Sequence, residues 1–514
     1  MTLVFIAPGK MRARLAAAGA LFAATFLVAG CGSLYRPVIT PINPNGPAAQ
    51  PQALVVAISE PSPAVPGIAS VIDYAGDDIM AQQPVGIAPL GFTVAEAGSM
   101  AYTLNRDGTL TGFPVSTTLQ ELNMQTTTLF STTKLTSLYS PSSGLWASDL
   151  DGNAVDALSG SPATFNIAIP VAPTPIEVMG SSLTGSRVFA ISQNNENTPS
   201  GSILAYSNMS CNISPHAVTQ TGEADSIEVS NDTIDARIPL GKCPVYAISS
   251  SEGNRLFVLN RGDDTITVIN SQTAALDSCT CPPTGCVNQN NQHYFCHPSL
   301  PLSLSAGLPQ DTNGNVPNIA GPVYGEYNTT TRQIVVSDYD GGTITVIDVS
   351  LDEYGNDSPT FGTTFTIPVG ANPASVTVLA DGSRAYTANQ TDGTVTIANL
   401  SSHSVEKTIP VNGHPRTVVS AQNSLYGKVY VASPDSPLLT IIRTDLDITD
   451  TTVLVPGNVM DVRVSSQTAG NVNTNNVSRL PGGGQPCNLP PNLMEMTYGA
   501  NYTLAECQTM PAAP

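Results

Sequence analysis

Six residues between positions 279 and 297 carry the chemistry of a metal site: Cys279, Cys281, Cys286 and Cys296, with His293 and His297 among them. Thiolate and imidazole are the ligands zinc prefers, and the four cysteines would bind first. In an oxidising compartment the same cysteines pair with one another instead. An export signal, described below, makes disulfides the expected outcome and no metal. Beyond this group lie Cys211, Cys243, Cys487 and Cys507. Spacing alone leaves connectivity open; the expected pairing joins Cys211 to Cys243, Cys487 to Cys507, and the cysteines at 279–296 in two bonds. Five histidines are too few for a copper or haem centre, and no Cys-x-x-Cys-His run is present, so no cofactor is expected. His403 and His414 are expected at surface positions of a linking region. Asp107, Asp263, Asp264, Asp340, Asp381 and Asp392 could serve as calcium ligands or catalytic carboxylates. Their recurrence at the same place in each repeat points to turn formation instead. Asp352, Glu353, Asn356 and Asp357 are denser but lack the spacing of a calcium loop. Arg261-Gly262-Asp263 matches an adhesion tripeptide, too short a match to weigh against its place in an ordinary turn. There is no Gly-x-Ser-x-Gly elbow, no His-Glu-x-x-His pair and no phosphate-cradling glycine loop. No residue is therefore assigned as catalytic.

The amino terminus places Lys10, Arg12 and Arg14 ahead of an uncharged apolar run from Leu15 to Val28, too short to span a bilayer comfortably. Leu27-Val28-Ala29-Gly30-Cys31 follows and resembles the lipobox of bacterial lipoproteins. The resemblance implies cleavage before Cys31, lipidation of its sulfur, and membrane attachment through acyl chains that each gain about 0.8 kcal/mol per buried methylene. Gly32 stands where an Asp would retain such a protein at the inner membrane, which favours the outer membrane of a diderm envelope.

Loss of residues 1–30 removes three positive charges and no acid, moving the formal charge from -20 to -23. Such a surface repels phosphate backbones, so nucleic acid is not an expected partner. Only 11% of residues are charged, against 42 Gly and 42 Pro, a composition suited to short strands and turns rather than helices.

The elements that must position any site are read from a repeat of about 42 residues, the length of a four-stranded propeller blade. Ile238-Pro239-Leu240-Gly241, Ile367-Pro368-Val369-Gly370 and Ile409-Pro410-Val411-Asn412 align with one another. Pro84-Val85-Gly86, Ile169-Pro170-Val171 and Val455-Pro456-Gly457 extend the series. The six prolines are separated by 86, 69, 129, 42 and 46 residues, which reads as seven units with insertions at 208–232 and 271–321. Residues 371–412 show the unit best, with strands at Ser375 to Leu379, Ala385 to Asn389, Thr394 to Ala398 and Val405 to Val411. Asp381-Gly382 and Asp392-Gly393 turn the chain between them. Asn at the end of the second strand suits a tight turn through local backbone bonds and tolerance of positive φ.

Tyr386-Thr387-Ala388-Asn389, with Phe257 to Asn260, Tyr102 to Asn105 and Tyr430 to Ser433, resembles the YVTN family of β-propellers. The likeness is close over 238–270 and 322–445 and looser over 53–235, where Trp146 to Asp149 and Val188 to Ile191 hold the equivalent places. It implies a fold and an envelope or extracellular setting, and no single activity. An all-β propeller must hide its terminal edges. Leu54 to Ser59, Ala69 to Tyr74 and Ile79 to Val85 read as second, third and fourth strands lacking a first, and Met460 to Ser465 supplies it. The expected architecture is eight four-stranded blades, the first closed by strands from both termini, with seven blades the alternative if the unit between 120 and 172 is misread. The expected organisation is a signal peptide at 1–30, a tether at 31–52, the propeller at 53–466 and an irregular cysteine-containing tail at 467–514.

The function expected is that of an envelope-anchored, non-enzymatic scaffold that binds a protein or polysaccharide partner, its oligomeric state open. The alternative is a lactonase-like hydrolase with acids, His or Arg converging on the central channel. A single tryptophan, Trp146, sets the chain apart from the Trp-rich lipoprotein propeller of barrel assembly.

Overall fold

In a computed structural model the described residues lie between 54 and 464, excluding 75, 95–99, 106–108, 116–124, 129–134, 141–143, 160–162, 181–185, 195–210, 212–214, 251–254, 278–285, 288–292, 295–300, 305–318, 353–355 and 422–426. The strands belong to one compact unit, Gln50–Pro514; the other unit, Met1–Ala49, lies outside the described residues. Antiparallel sheets of four strands follow one another as eight blades. Blade 1 combines Asn458–Val464, innermost, with Leu54–Glu60, Pro66–Asp73 and Ile79–Ile87. Blades 2 to 8 begin at Pro89, Leu135, Pro175, Pro244, Pro322, Pro373 and Thr417. The weak unit at 120–172 is a full blade, Leu135–Tyr139 to Thr164–Pro170, so the count is eight.

The recurring Ile-Pro has a packing reason. In the outermost strands Thr164–Pro170 and Ser404–Pro410 only the Ile is buried, and it anchors the strand to its blade. The proline beside it occupies an exposed sheet edge, where its missing N–H costs nothing.

Closure of the ring joins chain segments about four hundred residues apart. Val55 pairs with Val464 and Ile58 with Asp461, and the Ser59 hydroxyl donates to the Pro456 carbonyl at 2.7 Å. Val55 and Ala57 share one apolar cluster with Tyr430, Leu439 and Val462. At the same seam Lys428, 2% exposed, reaches Asp77 at 2.7 Å and the Tyr74 carbonyl at 2.8 Å. This contact is one case of a rule the sequence reading missed. A basic residue opening the second strand of a blade reaches the turn between third and fourth strands of the next. Arg187 donates to Gln272 O, Arg255 pairs with Asp357, and Arg384 with Asp447. Asp77 and Asp447 both take positive φ in that turn.

The strand-end asparagines are held differently from the expectation. None of Asn105, Asn260 and Asn389 is among the residues of positive φ. Instead each buried amide donates to two threonine hydroxyls of the third strand: Asn260 to Thr265 and Thr267, Asn389 to Thr394 and Thr396, Asn105 to Thr109 and Thr111. The glycine of the preceding Pro-x-Gly leaves room for that amide. A Cβ on Gly370 would lie 2.6 Å from Asn389 Cγ, and one on Gly241 2.6 Å from Asn260 Cγ.

Two expected insertions are corrected. Within 208–232, Thr221–Glu228 is the third strand of blade 4, so the long connection runs from Ser192 to Thr221. Within 271–321, Ala275–Leu276 and Leu302–Ser303 both pair with the third strand of blade 5. Together they are a fourth strand split in two, and the excursion between them leaves from the outer rim rather than from a face. A hairpin there sets Cys286 opposite Tyr294 and Val287 opposite His293.

Candidate functional site

Eight innermost strands surround the axis, and each turns a row of backbone N–H groups away from its own sheet. Unpaired edges of this kind must be satisfied. Here the preceding blade does it with side chains on two rungs. On the upper rung Val178 N donates to Ser137 Oγ, Ala247 N to Glu177 Oε2 at 2.6 Å, and Val418 N to Ser375 Oγ. On the lower rung Val378 N donates to Glu326 Oε2 at 2.8 Å and Ser420 N to Thr377 Oγ1. Glu177 and Glu326, which would otherwise suggest acid chemistry, thus bond blade to blade. Tyr246 and Tyr324 fill the space beside them, ring centroids 4.8 Å apart. From blade 1, Asp461 and Arg463 pair at 3.1 Å with both side chains buried. Burial raises the Asp461 carboxyl, opposed chiefly by Arg463, then by the Thr417 hydroxyl, and also by Arg416.

The turns between second and third strands and the blade-linking segments lie together on one face of the ring, its mouth. Most turn acids there hold a linking segment: Asp263 accepts from Lys242 N, Asp392 from Ala371 N, Asp435 from His414 N. Asp381, in the turn between first and second strands on the opposite face, holds its own turn through Ser383 N, and Asp264 accepts from Gly321 N. For these residues the turn reading holds. Asp340 departs from it and takes a bidentate contact from Arg261, at 2.9 and 2.7 Å, with His216 Nε2 at 3.7 Å. Burial alone would raise Asp340; His216 and Arg261 hold it below the usual carboxylate range. The same contact with Asp340 in turn raises His216. Arg261 is 1% exposed, so the Arg-Gly-Asp tripeptide presents no free arginine. Gly262 is required because a Cβ would meet the Pro215 carbonyl at 2.8 Å. A disulfide between Cys211 and Cys243 holds the segment that carries Pro215 and His216.

From Arg261 the cluster continues around the mouth. Its guanidinium carbon lies 5.5 Å from the ring centroid of Tyr339, and the Tyr339 hydroxyl bonds Gln390 at 3.1 Å. Burial pushes Tyr339 up to about 12, against the pull of Arg261 and Arg416. Arg416, 5% exposed, immediately precedes the first strand of blade 8 and influences both Tyr339 of blade 6 and Asp461 of blade 1.

The other expected residues are dispersed. His414 Nδ1 meets Asp435 at 2.5 Å, and His403 stacks on Phe365 with centroids 3.8 Å apart. Asp352 holds Asn356 and Asp357 pairs with Arg255. Among the described residues no group of three His, Cys, Asp or Glu is placed to hold a metal. Cys31, Cys279, Cys281, Cys296, Cys487, Cys507, His297, Asp107 and Glu353 lie outside the described residues. Arg416 was not singled out from sequence, although a signal existed. Ile176, Val245, Val323 and Ala374 hold the same place in blades 4 to 7, one residue after the proline at the start of each blade, and Arg416, after Pro415, alone is charged.

No family model and no curated protein matches the chain. Solved structures do. Apo AztD from Citrobacter koseri is 12% identical at a TM-score of 0.51, covering 82% of this chain and 98% of that one. The dihydro-heme d1 dehydrogenase NirN, in complex with DHE, is 14% identical at a TM-score of 0.52, covering 82% and 76%. At such identities the likeness establishes the β-propeller fold alone.

Proposed function

We propose that this chain is a lipid-anchored envelope protein of the YVTN-repeat type, whose propeller is a binding module rather than a catalyst. One observation carries the reading. The acidic groups around the axis, Glu177, Glu326 and Asp461, are engaged in holding blade to blade or in an ion pair with Arg463, so they build a rigid scaffold. The departures from the repeat, namely the Arg261–Asp340–His216 cluster and Arg416, gather toward the face of the blade-linking segments, where His216 and Asp340 are partly exposed. Anchoring rests on Cys31 and the sequence around it.

Two measurements test the proposal. In a diderm host the full chain incorporates labelled palmitate and fractionates with the outer membrane, and Cys31→Ser loses both; an equally labelled Cys31→Ser overturns the anchor. Assay of the full chain against lactones and esters yields no turnover. Turnover that Glu326→Gln abolishes in a folded protein replaces the binding module with a hydrolase.

A further inference from the structure

A guanidinium is hydrated in water, and removing it to a protein interior is costly unless each N–H finds an acceptor. Arg416 meets this condition only in part. It occupies a position that is apolar in blades 4 to 7, is 5% exposed, and its Nε and Nη2 are buried without a hydrogen-bond partner. No ion pair involves it among the described residues. Two nearby acids are already engaged: Asp461 is paired to Arg463 at 3.1 Å, and Asp340 to Arg261. Arg261 itself keeps a buried Nη1 without a partner, on the other side of Tyr339. In a chain of formal charge -20, Arg416 and Arg261 together bury three guanidinium nitrogens without a hydrogen-bond partner. Nε and Nη2 lie on one edge of the guanidinium fork, the geometry that takes two oxygens of a carboxylate or phosphate group.

We propose that Arg416 is the anchor of an oxyanion-binding site at the channel mouth, taking a carboxylate or phosphate group of a ligand on its Nε–Nη2 edge. The inference rests on reading the propeller as a binding module and names the ligand chemistry of that module. The competing explanation is that water alone meets the two donors.

Thermal unfolding of the full chain at fixed ionic strength, titrated with inorganic phosphate or with succinate against chloride, separates the two. At about a hundredfold excess over Kd, a saturable rise of about 3 °C is expected for a domain of this size. The relative response to the two probes distinguishes a phosphate from a carboxylate site. Arg416→Ala, which installs the residue blade 7 carries as Ala374, abolishes the rise. Arg416→Lys keeps the charge without the fork and weakens apparent affinity at least tenfold; it serves alone should the alanine variant not fold. A wild-type response no larger than that to chloride, or one unchanged in both variants, overturns the site. That result leaves palmitate labelling and the absence of turnover as they were, whereas turnover of an ester or lactone overturns the underlying reading instead.

Discussion

Blades 7 and 8 meet the same packing demand with one pair of residues exchanged. In blade 7 the strand-end Asn389 sends its amide to Thr396, and Gly370 in the preceding link leaves the space. In blade 8 the strand-end residue is the small Ser433, and the link carries Asn412, whose amide reaches Thr440 at 3.4 Å. Thr396 and Thr440 are equivalent, so one amide approaches the same kind of hydroxyl from either side. What the fold requires at this place is a donor and a volume, and two positions share the task. Blade 6 varies it again. Asp338 replaces the asparagine and accepts from Thr343 and Thr345 at 3.0 and 2.6 Å, which puts a carboxyl where its neighbour is neutral.

The largest expected effect breaks the seam that follows blade 8. Lys428→Ala leaves Asp77 without its partner in a mostly buried setting and costs about 3–5 kcal/mol, read by urea unfolding. The double variant Lys428→Met with Asp77→Leu recovers most of that loss. A single variant as stable as the parent would show the ring holds without this clamp. Next, Gly370→Asn places two amides in one space and costs about 3 kcal/mol. Adding Asn389→Ser copies blade 8 into blade 7, and the pair is expected to be clearly less damaging than the sum of the single changes. Strict additivity in a double-mutant cycle would refute the exchange.

A smaller effect distinguishes blade 6 from blade 7 through pH. Burial pushes Asp338 up to about 7, against the hydroxyls of Thr345 and Thr343. A carboxyl raised above its unfolded value contributes its stability in full below pH 3.8, and that contribution is lost as pH rises through 7. Asp338→Asn restores the neutral group of blade 7. It should therefore stabilise by on the order of 2 kcal/mol at pH 8 and hardly at all at pH 4; unfolding midpoints with the same difference at both pH values would remove the argument. The smallest effect concerns the two turn acids Asp340 and Asp392. Because Asp340 raises His216, the pair contributes below the usual histidine range and fades as pH rises. His216→Gln then costs under about 1 kcal/mol at pH 5.5 and less at pH 8.

Spacing in the chain determined the circular architecture, because strand length, Asp-Gly turns and Ile-Pro edges are local choices that recur once per blade. It also determined that an early segment lacked a first strand and that the far end held one. Spacing could not show that Asp340 bonds Arg261 of the preceding blade, seventy-nine residues away, while Asp392 holds the link that enters its own blade at Ala371 N. Both acids sit beside glycine in similar local sequence, and only the neighbouring blade separates their roles. Nor could it show that Glu177 and Glu326 cap backbone amides of the blade after them, since edge satisfaction is a demand created by ring packing. Arg416 stood in the sequence as one charge in an apolar column. Its unmatched donors became meaningful only when folding removed it from water without supplying acceptors, a circumstance that burial and distance decide and residue type does not.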